Sequence, residues 1–386
     1  MNTIDRDAEE RLLDQTREFA QRVVVPGAVV WERERRIGRE AVTQAAALGL
    51  TRLQVPASAG GLDYSFGCKV RVADILGAAD FAFTMSLINT HNVAAKLARD
   101  APAPLAQRYV PQLIAGTIIG CTALSEPSAG SDFAAIKTMA TRSAHGWSIT
   151  GEKAWISNAS DADVIVTYAQ TQVGAGGRGI ACFVVDATRA GFVRLPAFAL
   201  AGQHAIGAGG FRLEHYQARD DEMLHPPGQA FKTALGSING ARTYIAAMSC
   251  GMVDAALRIV SDYGERRHSF SQALADHQGW RWRVAEAATD LAAARLLVQA
   301  AIGTIEAGQD AQLASAQAKL FANRMAERHL PILAQAMGAE GLREHYPFGR
   351  HLIGTRVASF VDGSVEMLLE RICAVQRQAH RQNAQP

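Results

Sequence analysis

At 386 residues and 41.3 kDa the chain is long enough for two or three packed units. With 48% hydrophobic and 20% charged residues it can fill a large core, which excludes a disordered chain. Thirty-nine Lys and Arg against 37 Asp and Glu give a net charge of +2, too close to neutrality for a nucleic-acid or polyanion binder.

In chain order, Met1 to Leu13 is charged where a signal peptide needs an apolar stretch. Asp5 can cap a first helix with Leu12, Leu13 and Phe19 on one face. Arg39 to Leu48 and Ala82 to Ala98 repeat the helical spacing, and Val55 to Gly61 breaks it with Pro and paired Gly. From about residue 119 to 226 the texture becomes that of strands. Short runs such as 147–150, 164–168 and 181–185 are rich in Val, Ile, Thr and aromatics, and they predict an antiparallel sheet closed by Pro226-Pro227. Beyond it, Ile245, Met248, Met252, Ala255 and Ile259 share a helical face, and Arg283 to Ala307 and Leu313 to Met337 continue the pattern into a bundle. The expected domains are 1–118, helical; 119–228, β; and 229–386, a helical bundle.

Several signals carry no chemistry. Gly174 to Gly179 matches GxGxxG, but a strand pattern follows where a dinucleotide site needs a helix, so a hairpin loop is expected. The five cysteines lie far apart without a CxxC pair, which argues against disulfides or zinc and for a reducing compartment. His345 and His351, beside Arg343 and Arg350, read as surface rather than as metal ligands. No run of 18 apolar residues occurs, so a cytoplasmic protein without a membrane span or metal is expected.

Three separated segments are specific when taken together. They are Thr122 to Asp132 (TALSEPSAGSD), Gly151 to Asn158 (GEKAWISN) and Phe360 to Met367 (FVDGSVEM). At these residues the chain resembles the acyl-CoA dehydrogenase flavoprotein family, which carries A-L-T-E-P-x-A-G-S-D, G-x-K-x-W-I-T-N and Y-E-G-T-x-E-I. The likeness takes in Pro56 to Gly61, Gly240-Ala241-Arg242, Arg267 with Phe270, Gln278, and Gln335 to Gly341. The resemblance implies a mainly α fold with a central β-domain: an N-terminal helical domain, an antiparallel β-domain and a C-terminal four-helix bundle. FAD is then expected between sheet and bundle, completed by a second subunit of a homodimer or homotetramer.

A flavin is a flat aromatic plate with a polar edge, and a Gly/Ser/Pro loop can offer that edge amide and hydroxyl donors. By resemblance, Leu124 and Ser125 meet the ring, Trp155 packs against it and Ser157 stands near N5. Serine replaces the family's usual threonine at both 125 and 157. Arg267 corresponds to the residue that meets the pyrophosphate of a neighbouring subunit's FAD, with Phe270 in the same turn. The family's Gln and Gly are Ser269 and Ser271 here. Gln278, Gln335, Gly338, Ser364 and Glu366 match further cofactor positions, and Ser131, Arg242 and Gly363 match the acyl-thioester site.

The family reaction removes an α-proton from an acyl thioester while flavin N5 accepts a hydride from the β-carbon, and an electron-transfer flavoprotein then takes the electrons. The developing enolate requires a hydrogen-bond donor, which in the family is the base residue's own N–H with a ribityl hydroxyl. Asp362 stands where the family has Glu, and its side chain is about 1.5 Å shorter. The alternative glutamate site of the family, before the arginine equivalent to Arg242, is Ala241. Three readings stay open: an aspartate base serving a deeper-seated substrate in fatty-acid-type metabolism, a related flavin oxidase of nitroalkane-oxidase type, or a flavin-binding protein without dehydrogenase activity.

Overall fold

The computed structural model describes residues 6–383, so the cap expected of Asp5 lies outside the described residues. Helices come first: α1 Arg6–Phe19, α2 Val25–Glu34, α3 Arg39–Ala47, α4 Phe66–Ala79, α5 Phe81–Asp100 and α6 Ala103–Ile114. The strands β1 Gly120–Ala123, β2 Met139–Ser143, β3 Gly146–Ile156, β4 Val164–Gln170, β5 Ile180–Asp186, β6 Phe192–Arg194, β7 Gly209–Ala218 and β8 Met223–His225 follow. Then α7 Ala230–Arg266 leads through a small hairpin, β9 His268–Ser269 and β10 Gln272–Ala273, to α8 Gln278–Glu306, α9 Gln312–Ala336, α10 Phe348–Phe360 and α11 Val365–Asn383. The fold is mostly helical around a β-sheet segment, as the sequence led us to expect. Its contacts divide it into two compact units. One contains Val30–Ser65 and Ala82–Ser237, and the other contains Asp7–Val29, Phe66–Phe81 and the chain from Ile238 onward.

In the first unit the strands run in the order β6-β7-β3-β2-β4-β5-β8, with β1 also paired to β4. Most pairings are antiparallel, but β1 and β2 meet β4 in parallel, a feature the strand pattern did not reveal. The connection from β1 to β4 is long enough to return the chain in the same direction, which a short hairpin cannot do. Every residue of β4 and β5 is buried and most are apolar, because both faces are covered. Val164, Val166, Tyr168, Ile180, Cys182 and Val184 share a core with Leu97 of α5 and Leu105, Tyr109 and Leu113 of α6. The alternate residues Ile165, Ala169, Ala181, Phe183 and Val185 pack with Ile149 of β3 and with Phe211, Leu213 and Tyr216 of β7. The glycine run at 174–179 joins antiparallel β4 and β5, with Gln170 opposite Ile180, and is a hairpin loop.

In the second unit Ile245, Met248 and Met252 of α7 are wholly buried. The backbones of α4 and α7 touch: a β-carbon on Gly251 would stand 2.1 Å from the Asp74 carbonyl oxygen, and one on Gly77 would stand 2.8 Å from Met248 Cα. Intrinsic propensity favours alanine over glycine in a helix by about 1 kcal/mol, yet forcing these helices apart costs about 1–3 kcal/mol. Gly251→Ala should therefore lower the melting temperature by several degrees in a thermal scan. An unchanged or raised value would show that the two helices separate freely.

Two helices, α7 and α8, have the length and apolarity of a membrane span by composition alone. The apolar window of α7 is 72% buried within the fold, which makes it a core helix, whereas that of α8 is 28% buried. Next to both, α9 forms the hub of the bundle, with α8, α10 and α11 as its neighbours. His351 corrects the sequence reading: it is 0% exposed, and burial pushes its imidazole down to about 3. It sits on the inward face of α10, a position that spacing beside two arginines did not disclose.

Candidate active site

The first group of residues lies in the sheet unit. Beyond β1 the chain turns tightly at Glu126 to Ala129, whose N–H and C=O groups pair in both directions at 2.8 and 3.2 Å. The loop is tied to β3 at adjacent positions. Lys153 Nζ donates to the Leu124 carbonyl at 3.1 Å, and the Ala154 amide donates to the Ser125 carbonyl at 3.1 Å. Beneath it, Lys153 and Glu126 form an ion pair at 2.9 Å with side chains only 1% and 3% exposed. The carboxylate of Glu126 also accepts the amides of Lys137 (2.6 Å) and Thr138 (3.0 Å). Burial pushes Glu126 up, but the Lys153 charge and these hydrogen bonds outweigh it and hold the carboxyl below its ordinary value. Burial brings Lys153 down to about 8 despite its partner.

Just after Lys153 the β3/β7 ladder slips, from Lys153 opposite Phe211 to Ile156 opposite Gly209. Three steps on one strand oppose two on the other, the signature of a β-bulge. The bulge puts Trp155 at φ +64 with 62% of its surface exposed, its ring 4.4 Å from that of Phe198. A non-glycine residue held there costs about 1–3 kcal/mol, and such strain gathers at functional positions. Ser157 follows half-buried, and Asn158 anchors the segment by donating to the carbonyls of Ser86 (3.0 Å) and Gly120 (3.1 Å). Among the described residues the hydroxyls of Ser125 and Ser157 make no hydrogen bond within the chain. An exposed indole beside a Gly/Ser loop with two available hydroxyls fits a flavin ring with its polar edge. The structure thus brings Leu124, Ser125, Trp155 and Ser157 to one place, and leaves Ser131 exposed at the far end of the same loop.

The second group lies in the helical unit. Asp362 is half-buried in the turn between α10 and α11, at φ +52, a conformation aspartate tolerates better than most residues. Its carbonyl accepts from Arg242 Nε of α7 at 3.1 Å. The carbonyls on either side, those of Val361 and Gly363, accept from Lys319 Nζ of α9, the second at 2.6 Å. Burial raises the Asp362 carboxyl above its ordinary value, and the charges of Lys319 and Arg242 oppose that rise only in part. Among the described residues the carboxylate accepts no hydrogen bond, nor do the amides of Asp362 and Gly363 find an acceptor. Ser364 caps α11 by accepting the Met367 amide on its hydroxyl at 3.4 Å. Glu366 is exposed in the first turn of that helix, its carboxyl lowered by hydrogen bonds from its own amide and from Ser364.

The remaining candidates gather at another end of the bundle. Trp280 of α8 donates to the Ala336 carbonyl at 3.0 Å, and its ring fills the space against Gly264 of α7. Around it stand exposed Arg267, Gln278, Gln335 and Gly338. The Ser269–Gln272 turn has φ +52 at Phe270 and +67 at Ser271, a pair of left-handed residues suited to a two-residue hairpin, and it holds the Phe270 ring 93% exposed. Arg242 and Arg266 are 24 residues apart on α7, about 36 Å along its axis. One copy of the chain therefore does not bring Arg267 or Phe270 to its own Asp362.

The sequence motifs contained Glu126 and Lys153 without revealing that they pair. Opposite charges in two segments otherwise poor in charge were the available signal. Lys319 carried no motif at all.

Sequence models for the N-terminal, middle and C-terminal domains of acyl-CoA dehydrogenases match residues 6–117, 121–216 and 228–376. The short-chain specific acyl-CoA dehydrogenase of Sus scrofa mitochondria is 30% identical over 362 residues, which is 92% of this chain and 87% of that one. The short/branched chain specific enzyme of Rattus norvegicus is 28% identical over 367 residues, 95% of this chain and 85% of the other. A solved glutaryl-coenzyme A dehydrogenase–glutaryl-CoA complex superimposes with a TM-score of 0.91 at 27% identity, covering 98% and 96% of the two chains. The chain belongs to the acyl-CoA dehydrogenase family, FAD-dependent oxidoreductases acting on CH–CH groups.

Proposed function

We propose that the protein is an α,β-dehydrogenase of acyl thioesters, carried on coenzyme A or on a carrier protein, with Asp362 as the base that removes the α-proton. The observation that carries this reading is the Asp362 turn. A carboxylate raised by burial, without a hydrogen bond, is a stronger proton acceptor than an exposed one. The amide of Asp362, which has no acceptor among the described residues, supports a role as donor to the thioester oxygen as charge develops there. Arg242 holds the peptide carbonyl of the base, so the carboxylate and the amide keep a fixed relation. Bound FAD supplies the hydride acceptor. Leu124, Ser125, Trp155 and Ser157 would hold its ring, and Ser131 and Gly363 are each candidates for contact with the acyl thioester.

Arg267, Phe270, Gln278, Gln335 and Gly338 would then complete the cofactor site of a second copy, because they gather around the end of α7 far from Arg242. The uncovered apolar window of α8 supports self-association. Electrons would leave to an electron-transfer flavoprotein.

Anaerobic titration of the yellow protein with CoA and carrier-protein thioesters tests the proposal, with bleaching of the flavin band expected. Bleaching followed by rapid reoxidation in air with peroxide would mark an oxidase instead, and no bleaching with any thioester would mark a non-catalytic flavin protein. Trp155→Ala should weaken retention of FAD through gel filtration. Retention equal to wild type would remove the indole from the cofactor site.

A further inference from the structure

Along one face of α9, at four-residue spacing, stand Ser315, Lys319, Asn323 and Glu327. Each is polar, and three of them hold the end of α10 and the turn after it. Glu327 accepts from Ser359 Oγ and from Arg356, both at 2.8 Å. Asn323 donates to the Ala358 carbonyl at 3.0 Å and accepts from Ser249 at 2.9 Å. Lys319 donates to the carbonyls of Val361 and Gly363, in the turn beyond the helix. Ser315 bonds back to Asn239 of α7 at 3.3 Å. A helix leaves its last carbonyls without internal partners; Asn323 meets one of these, that of Ala358, and Lys319 meets two carbonyls in the turn that follows.

Hydrogen bonding alone does not account for a lysine here. Two carbonyls can be bridged by the NH₂ of a neutral amide, as Asn158 shows in the sheet unit, whereas a wholly buried ammonium carries a large desolvation cost. What a neutral amide lacks is charge, and the carboxylate on which that charge acts is Asp362. The charged groups bearing on Asp362 are Arg242 from α7 and Lys319 from α9, and Arg371 of α11 acts on Arg242.

We propose that Lys319 is a positioning residue for the reaction at Asp362: it fixes the peptide units on both sides of the base and sets a buried positive charge beside its carboxylate. The proposal rests on the reading of Asp362 as the base. Below about pH 7, to which burial brings its own titration, Lys319 keeps its proton. Its charge there favours the ionised form of Asp362, so removing it should make the base harder to ionise.

Lys319→Met should lower kcat roughly 10²-fold, the usual effect of a base displaced by about 1 Å, with a much smaller change in KM. The acid limb of kcat/KM should move to higher pH. Asn323→Ala, on the same ladder but off the turn, should lower the melting temperature and leave that limb in place. An acid limb unmoved in Lys319→Met would overturn the proposal. A second measurement does not depend on that variant folding. The chain has six lysines, so ¹³Cε labelling can follow each. Coupling between two sites is reciprocal, so Asp362→Asn should make Lys319 lose its proton at lower pH. An unchanged Lys319 titration would overturn the proposal equally. Turnover surviving in Asp362→Asn would instead remove the base reading itself, which the lysine signal distinguishes.

Discussion

Asp362→Asn should lower turnover of an acyl thioester by roughly 10²–10⁴-fold, the usual effect of losing a general base, while the protein stays folded and yellow. Asparagine keeps the volume and tolerates the left-handed backbone of this position. The bonds that hold the turn end on the carbonyls of residues 361, 362 and 363, none of which the substitution alters. Ala241 offers no carboxylate to take over. Asp362→Glu separates two histories of the site. If the pocket is fitted to the shorter acid, the added methylene overshoots and native turnover falls. If aspartate is a departure the pocket has not followed, glutamate raises activity on ordinary acyl-CoAs. Native turnover that persists in Asp362→Asn would exclude this residue from the chemistry.

The second large effect concerns stability of the loop that would carry the flavin. Removing one partner of a buried ion pair leaves the other charge without compensation and typically costs about 3–5 kcal/mol. Lys153→Met and Glu126→Gln should each lower the melting temperature sharply and weaken FAD retention, because Leu124 and Ser125 hang from the same strand positions. The double variant should recover part of the loss. Glu126 also implies a direction in pH. Its carboxyl is lowered from 4.5, so its contribution is complete above about 4.5 and disappears as pH falls through the lower native value. Single variants that melt with the wild type would show that the pair contributes nothing.

Much of the architecture was legible because it depends on local rules. The apolar period of α7 and the glycine hairpin at 174–179 follow from residues that meet their partners within a few turns or strands. The parallel placement of β1 beside β4 was not legible, since no residue marks which strand a segment will lie beside. Trp155 and Asp362 were found through motifs, but their left-handed backbones were not, because tryptophan rarely adopts positive φ and aspartate, which tolerates it, adopts it at only some of its positions. His351 and Lys319 show a further limit. A single histidine or lysine in an amphipathic run gives no sign of which way it faces until the neighbouring helices are placed, and both of these face inward.

The way the Asp362 turn is held has an evolutionary consequence. Arg242 and Lys319 grip backbone atoms, which every residue possesses, and leave the side chain at 362 outside the set of supporting bonds. Mutation at position 362 therefore leaves these bonds in place, and the cost it meets is that of the left-handed backbone, smallest for aspartate, asparagine and glycine. Drift between glutamate, aspartate and inert residues is open to this lineage in single nucleotide-scale steps, whereas the gripping arginine and lysine, on which the backbone path depends, should be the slower-changing partners.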